Sequence, residues 1–514
     1  MDVRSSGILL HVSSLPGPHG HGDLGPPALA FADFLKQAGQ GWWQMLPIGP
    51  VGGGFSPYDS ASAFAGNPEF VSLELLHRDG LLRDDEIRAP RSLAASKRSR
   101  YAAARRFRWP RLELAHARWA ERASRPERSE FERFAEDNSW WLDDYALFAA
   151  LAEREGSGTC WAGWSADLVA RRPAALARAR ARLAERISLH AFLQFEFDRQ
   201  WKALKAYCSH RNVLLLGDVP MFVAYGAADV WGHQDLFQLD ARGHRQALAG
   251  VPPDYFSRTG QLWGNPLYRW EVLERTGFDW WLRRFRKVLD RFDALRLDHF
   301  IGFHRCWEVP ARARSARRGR FRLVPGRALL SLARAALGGV PFLAEDLGLV
   351  TEEVRALRDA FELPGMRVLQ FGFSEGAEVY EPHRFPRRSV VYTGTHDNDT
   401  LMGWLGARPP PGVEKRAFLA QRKRALDYVG AGTRERHWDF IRIALMSVAN
   451  TAIFPLQDIL GLGSRARMNV PGTPAGNWSW RVGSAELTIP IAERLAQMCS
   501  LYERLPSQRT VVSD

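Results

Sequence analysis

Ala294-Leu295-Arg296-Leu297-Asp298-His299 is a short apolar run, broken by one Arg, that ends in an acid and a His. In an extended chain residues two apart share a face, so Arg296 and Asp298 point one way while Leu295 and Leu297 point the other. Seven further apolar, β-branched runs lie at residues 8–12, 42–48, 213–216, 341–344, 368–373, 389–392 and 451–455. Helical patterns fall between them. Phe31, Phe34, Leu35 and Ala38 recur at helical spacing before Gly39, a helix stop, and Leu193, Phe197, Trp201 and Leu204 form a second stripe. A third stripe, Leu329, Leu332, Ala333 and Ala336, leads to Gly338, and Thr351 is placed to cap a helix opening with Glu352 and Glu353. Eight buried strands alternating with helices predict an α/β fold, and eight strands close a (β/α)8 TIM barrel. The pattern alone leaves an open doubly wound sheet as the alternative, though the GxGxxG fingerprint of a dinucleotide fold is absent.

The spacing of the runs is uneven. About 165 residues separate the second from the third, and the stretch 75–186 is rich in Arg, Ala and Glu with a mostly helical pattern. We read 75–186 as a helical subdomain inserted between strands 2 and 3, and 221–269 as a second insertion between strands 3 and 4. Both belong to a single catalytic unit spanning 1–514. No low-complexity tract is long enough to be a linker.

With 46% hydrophobic and 25% charged residues, the chain reads as soluble and globular. Residues 1–14 lack the pattern of a signal peptide, and no uncharged apolar stretch reaches the roughly 18 residues of a membrane span. Cys160, Cys208, Cys306 and Cys499 are far apart and form no CxxC pair, which fits a reducing cytoplasm. The net charge of +13 invites a nucleic-acid reading, but all except seven of the 70 basic residues are Arg, scattered and often alternating with Ala. That pattern suits solvated helix faces, and no nucleic-acid module accompanies it. The expected partners therefore include neither nucleic acid nor membrane.

In a TIM barrel the active site lies at the C-terminal ends of the strands. The third run ends in Gly217-Asp218, the fourth in Asp298-His299, the fifth in Glu345-Asp346, and the seventh leads to His396-Asp397-Asn398-Asp399. A single Asp there is commonly a helix cap; four acidic ends from different strands indicate a site. Such a rim suits either a divalent metal or glycosyl transfer through carboxylates. Arg296 helps choose between them, because a cation beside Asp298 holds it ionised, as a nucleophile requires, and opposes a metal ion. Retaining glycosidic chemistry needs one ionised and one protonated carboxyl. The 19 Trp residues include several in loops, such as Trp263 in Gln261-Leu262-Trp263-Gly264-Asn265-Pro266, where flat rings suit pyranose faces; many others fill core.

These residues resemble glycoside hydrolase family 77, the amylomaltases or 4-alpha-glucanotransferases, from Gly7 to about Arg481. The motifs in order are Ser6-Gly7-Ile8-Leu9-Leu10-His11, Trp42-Trp43-Gln44-Met45-Leu46-Pro47, Ser56-Pro57-Tyr58, Gly217-Asp218-Val219-Pro220 and Val251-Pro252-Pro253-Asp254-Tyr255-Phe256. They continue with Arg296-Leu297-Asp298-His299, Ala344-Glu345-Asp346-Leu347-Gly348, Gly394-Thr395-His396-Asp397-Asn398, Arg467-Met468-Asn469-Val470-Pro471-Gly472 and Asn477-Trp478-Ser479-Trp480-Arg481. The resemblance implies Asp298 as nucleophile, Glu345 as general acid and base, and Asp397 as the group gripping sugar hydroxyls beside the broken bond. It implies that Arg296 orients Asp298, and that His396, Tyr58 and Asp218 line the same subsite. Asp254, Trp263 and Asn469 are implied as substrate contacts; His299 is open between a sugar ligand and a packed ring, and Asp346 is expected to be structural. The implied reaction moves α-1,4-glucan from a maltooligosaccharide or starch-like donor to the 4-hydroxyl of glucose or another glucan, with no cofactor and no metal.

The sequence departs from the family pattern in three places. The run before Tyr58 reads Gly52-Gly53-Gly54-Phe55, and Val223-Ala224-Tyr225-Gly226 follows Asp218 where Val-Ala-His-Asp is usual. The loop after the fourth strand is very basic, with Arg312, Arg314, Arg317, Arg318, Arg320 and Arg322, and has Phe321 in place of a Trp. A retaining α-glucan hydrolase on the same scaffold is the competing enzyme reading, since altered loops could admit water. An inactive carbohydrate-binding protein is disfavoured by the intact trio of carboxylates.

Overall fold

The computed structural model describes residues 1–156, 160–253, 258–409, 414–430, 435–473 and 475–506. Twelve strands are defined among them. The first six are β1 (Ser5–Leu9), β2 (Trp42–Gln44), β3 (Leu214–Val219), β4 (Ala247–Val251), β5 (Gln261–Pro266) and β6 (Ala294–Leu297). The rest are β7 (Arg305–Pro310), β8 (Arg320–Leu323), β9 (Phe342–Ala344), β10 (Gly365–Val368), β11 (Ser389–Tyr392) and β12 (Thr451–Pro455). Eight of them, parallel throughout, close into a barrel in the order β1-β12-β11-β10-β9-β6-β3-β2, and the open-sheet alternative falls.

The physical reason for the continuous apolar runs is burial on both faces. Trp42, Leu216, Ala294, Leu343, Met366, Val390, Tyr392 and Ile453 join one cluster that fills the barrel. Their strand neighbours Trp43, Leu215, Leu295, Phe342, Val391 and Ala452 join a second, larger cluster beneath the helices. Strands β1 and β2 approach so closely that a Cβ on Gly7 would stand 2.4 Å from the Cβ of Trp42.

Several expected boundaries move. The sixth strand is Gly365–Val368, not 368–373; Leu369–Phe371 turns as a 3-10 helix over the rim. The Asp346 carboxylate explains the earlier start: it accepts the Met366 N–H at 2.7 Å and lies 2.5 Å from where a Gly365 Cβ would be, so only glycine fits there. The apolar run continues because Leu369 is buried by packing, which does not require a strand. The first strand starts earlier than residue 8, since Ser5 and Ser6 are buried with their hydroxyls bonded to Thr451 Oγ1 and Cys499 Sγ, both at 3.1 Å. The third strand runs on to Val219, which places Asp218 within the ladder, directly opposite Arg296.

Between β2 and β3 the chain forms long helices, including Tyr101–Arg122, Arg125–Glu155 and Ala184–Ser209. Arg178, Arg180 and Arg182 of the Arg/Ala stretch are exposed, as solvated residues should be. In the helix Gly326–Leu337 the buried stripe is Leu329, Leu330 and Ala333, while Leu332 and Ala336 face solvent. Thr351 occupies the N-cap position of Glu352–Ala360 but makes no capping bond. A second, antiparallel sheet, ordered β5-β4-β7-β8, draws two strands from each side of β6; its outer strand β8 is the basic segment seen in sequence. Among the described residues no helix is long and apolar enough to cross a membrane, and the four cysteines are free.

Candidate active site

Strand β6 sets the centre of the site. Ala294 and Arg296 face the barrel interior, Leu295 and Leu297 the helices, and the chain leaves the ladder at Asp298. Arg296 is buried and uses its fork on two acids: Nη1 meets Asp218 Oδ2 at 2.6 Å and Nη2 meets Asp298 Oδ1 at 3.0 Å. Burial alone would weaken this cation, but Asp218, Tyr58, Asp298 and Glu345 together raise its affinity for its proton well above the ordinary value. The guanidinium is therefore a fixed positive charge under the rim.

Asp218 also accepts from the Tyr58 hydroxyl at 2.7 Å, and that hydroxyl lies 3.0 Å from His396 Nε2. Burial raises the Asp218 carboxyl, with Arg296 opposing. The Tyr58 and His396 rings stack 5.3 Å apart, and Trp478 packs against both. Trp478 was not singled out in sequence as a site residue, although its motif was.

Glu345 follows β9. Its N–H donates to Leu297 O at 3.1 Å, and its carboxylate oxygen Oε2 accepts the His299 N–H at 2.6 Å. Burial pushes its carboxyl up to about 8, with Arg296 pulling down and Asp298 pushing further up. At neutral pH it is a protonated acid facing an ion-paired carboxylate. Its neighbour Asp346 turns away, bonded to Arg358 Nη1 at 2.5 Å and to the Met366 N–H, a structural placement.

Asp397 lies beyond β11 and is exposed. Asn469 Nδ2 donates to its Oδ1 at 2.6 Å, His396 Nε2 lies 3.6 Å from the same oxygen, and Arg467 Nη2 donates to its main-chain carbonyl at 2.7 Å. Arg467 also clasps Asn469 O at 2.7 Å. Sequence reasoning passed over Arg467, although it opens the motif that contains Asn469.

Trp263, on β5, is 38% exposed and sets its ring edge-on to His299 at 4.8 Å. Phe222 flanks both rings, at 6.1 and 6.4 Å, and had no signal beyond being apolar. Burial lowers the His299 imidazole to about 4, so the ring is neutral. Asp254 lies outside the described residues. The structure thus brings Asp298, Glu345, Arg296, Asp218, Tyr58 and His396 into one connected network, with Asp397 and Asn469 joined to it through His396. Trp263 and His299 form a wall beside Glu345. Among the described residues no group of three His, Cys, Asp or Glu could hold a metal ion.

The 4-alpha-glucanotransferase family, glycoside hydrolase family 77, matches residues 10–486. The chain is 47% identical over 508 residues to a 4-alpha-glucanotransferase of Thermus thermophilus, covering 98% of this chain and 99% of that one. It is 44% identical over 510 residues to the Synechocystis 4-alpha-glucanotransferase, covering 98% and 99%. Its structure is similar to that of the amylomaltase from Streptococcus agalactiae in complex with acarbose, with a TM-score of 0.91 and 33% identity over 98% of this chain and 99% of that one.

Proposed function

The chain belongs to the 4-alpha-glucanotransferase family, enzymes that transfer glucan segments, and from that premise we propose how its rim carries out the transfer. Asp298 attacks the anomeric carbon of the donor and forms a covalent glucosyl ester. Glu345 protonates the leaving glycosidic oxygen, then takes the proton from the 4-hydroxyl of the acceptor as that oxygen displaces Asp298. Two inversions leave the new α-1,4 bond with the configuration of the old one. Arg296 keeps Asp298 aimed; Asp218, Tyr58 and His396 line the subsite of the bound glucose, and Asp397 grips its hydroxyls, steadied by Asn469.

The observation that carries this reading is the contrast between two neighbouring carboxyls. Asp298 is ion-paired to Arg296 at 3.0 Å, whereas burial holds Glu345 protonated to about pH 8. One carboxyl whose proton is held by burial, beside another paired to a cation, lets one rim supply both an acid and a nucleophile. Asp254, Trp263 and His299 belong to the donor and acceptor loops in this proposal. Loops that exclude water let the ester survive until a sugar arrives.

The barrel and its two insertions, 75–186 and 221–269, act as one catalytic unit in this proposal. The enzyme works in the cytoplasm on glucan alone, without nucleic acid, membrane, metal or cofactor. Four free thiols support the reducing compartment. The test is incubation with maltotriose, following glucose, reducing ends and chain lengths together. Glucose and longer chains at constant reducing ends are expected; reducing ends rising without longer chains would replace transfer by hydrolysis.

A further inference from the structure

Asp397 is an exposed acid, and its own loop gives it little support. Its N–H reaches Thr395 Oγ1 at 3.3 Å. The side chains that follow it are engaged elsewhere. Asn398 Oδ1 accepts from the N–H and the hydroxyl of Thr395, both at 2.8 Å, and Asp399 Oδ2 accepts from Ser464 Oγ at 2.7 Å.

The support comes from a segment 70 positions further on. Arg467 is extended, with φ −56° and ψ 136°, so Arg467 and Asn469 share one face of the chain and Met468 takes the other. Met468 is buried in the cluster that fills the barrel, and its carbonyl accepts the Trp478 N–H at 2.7 Å. The other face meets the Asp397 loop. The Asn469 N–H donates to His396 O at 3.0 Å, and Asn469 Nδ2 donates to Asp397 Oδ1 at 2.6 Å. Arg467 turns one edge of its guanidinium to two carbonyls, Nε to Asn469 O and Nη2 to Asp397 O, both at 2.7 Å. The bonds close a ring: from the Asp397 carboxylate to the Asn469 amide, through Asn469 O to the guanidinium, and back to Asp397 O. Arg467 forms no ion pair among the described residues, and both of its bonds go to main-chain carbonyls. Among the described residues nothing bonds Asp397 Oδ2, so that oxygen stays free for a sugar hydroxyl.

We infer that Arg467 is a positioning residue for Asp397: its fork fixes the carbonyls of Asp397 and Asn469, which seats the Asn469 amide on Oδ1 and leaves Oδ2 open to substrate. This rests on the reading of Asp397 as the group that grips the sugar beside the broken bond. Hydrogen bonds to that sugar strengthen as its ring distorts toward the transition state. Their placement therefore governs the rate of transfer more than the binding of the undistorted donor.

The test is steady-state transfer from maltotriose by variants of the full chain, with near-ultraviolet circular dichroism setting the folded fraction of each. Arg467→Ala should lower kcat per folded molecule about a hundredfold and leave KM within about threefold. Arg467→Lys keeps the charge but offers no planar fork, so it should keep less than about a tenth of the parental kcat. The Lys variant carries the test if Ala prevents folding. In an Asn469→Ala background, Arg467→Ala should cost far less than it does alone, because both residues act through one carboxylate. Parental kcat in Arg467→Ala, full recovery in Arg467→Lys, a loss confined to KM, or losses that multiply in the double variant would each overturn the inference. Asp397→Asn separates the two levels. A fall in transfer of about a thousandfold sustains the reading of Asp397 whatever Arg467 does, while near-parental transfer removes that reading itself.

Discussion

Asp298 and Glu345 differ by one methylene, and their surroundings assign them opposite tasks. Arg296 pairs with the first at 3.0 Å, while burial lifts the second to about 8. Asp298→Asn keeps the size and the fold but loses the nucleophile. We expect transfer from maltotriose to fall by at least about a thousandfold with an unchanged unfolding midpoint; near-normal transfer would remove Asp298 from that role. The raised value of Glu345 also sets a pH limit. Its protonated form is the working acid, so kcat/KM declines above about pH 8. The same shift enters stability with a definite sign. A carboxyl raised from 4.5 contributes fully below that value, and the contribution is lost as pH rises through about 8. Glu345→Gln therefore gains melting temperature relative to the parent at pH 8 to 9 and loses that advantage near pH 4.5. A constant difference across this range would contradict the assignment.

At the scale of elements, the antiparallel sheet β5-β4-β7-β8 has no counterpart in the barrel pattern, yet it carries Trp263 to the cleft. Its strands come from both sides of β6, so no single segment announces it. The outer strand β8 is wholly exposed, with Arg320 and Arg322 both drawn to Glu308, at 2.5 and 3.0 Å. Charged side chains on an open edge discourage pairing with another chain. At β5, Trp263→Ala removes a flat exposed ring while leaving the network around Asp298 intact. The KM for an acceptor sugar should rise about tenfold, and the share of donor lost to water should rise with it. The ratio of reducing ends to transferred chains measures both; an unchanged ratio would take Trp263 out of the acceptor wall.

For the molecule as a whole, the barrel must be closed at the seam between its first and last strands. Arg504, fully buried near the end of the described chain, donates to Ser5 O, Leu445 O, Ser447 O, Ala449 O and Asn450 O at 2.7 to 3.1 Å. One guanidinium thereby fastens β1 to the approach of β12. Removing it takes one donor from each of these five carbonyls, although Leu445 O and Ser447 O keep the Arg4 guanidinium and Asn450 O keeps the Ser5 N–H. Arg504→Ala should cost about 3 kcal/mol of stability in denaturant unfolding, with maltotriose transfer at room temperature nearly unchanged because the seam lies far along the strands from the rim. A loss under about 1 kcal/mol would show that water satisfies the carbonyls instead.

Eight strands and the acidic rim were legible in sequence because they rest on local chemistry. Two-sided burial writes an apolar run, as at Ala294–Leu297, and the turn from barrel to rim writes the acid after it. Period-two geometry alone paired Arg296 with Asp298. The remainder depended on contacts distant in the chain. Strand β10 starts at Gly365 because Asp346, 19 positions earlier, needs the space, and nothing in 368–373 itself marks the turn. Arg467 reaches Asp397 across 70 positions, and the His299 N–H reaches Glu345 Oε2 across 46. Sequence by itself determined the architecture and the acids at its rim, since hydrophobic burial and strand alternation act between neighbours along the chain. Which of those acids keeps its proton, and which main-chain group points at it, only the tertiary structure decided, because burial, charge pairing and ring packing there are set by residues that meet only in the folded barrel.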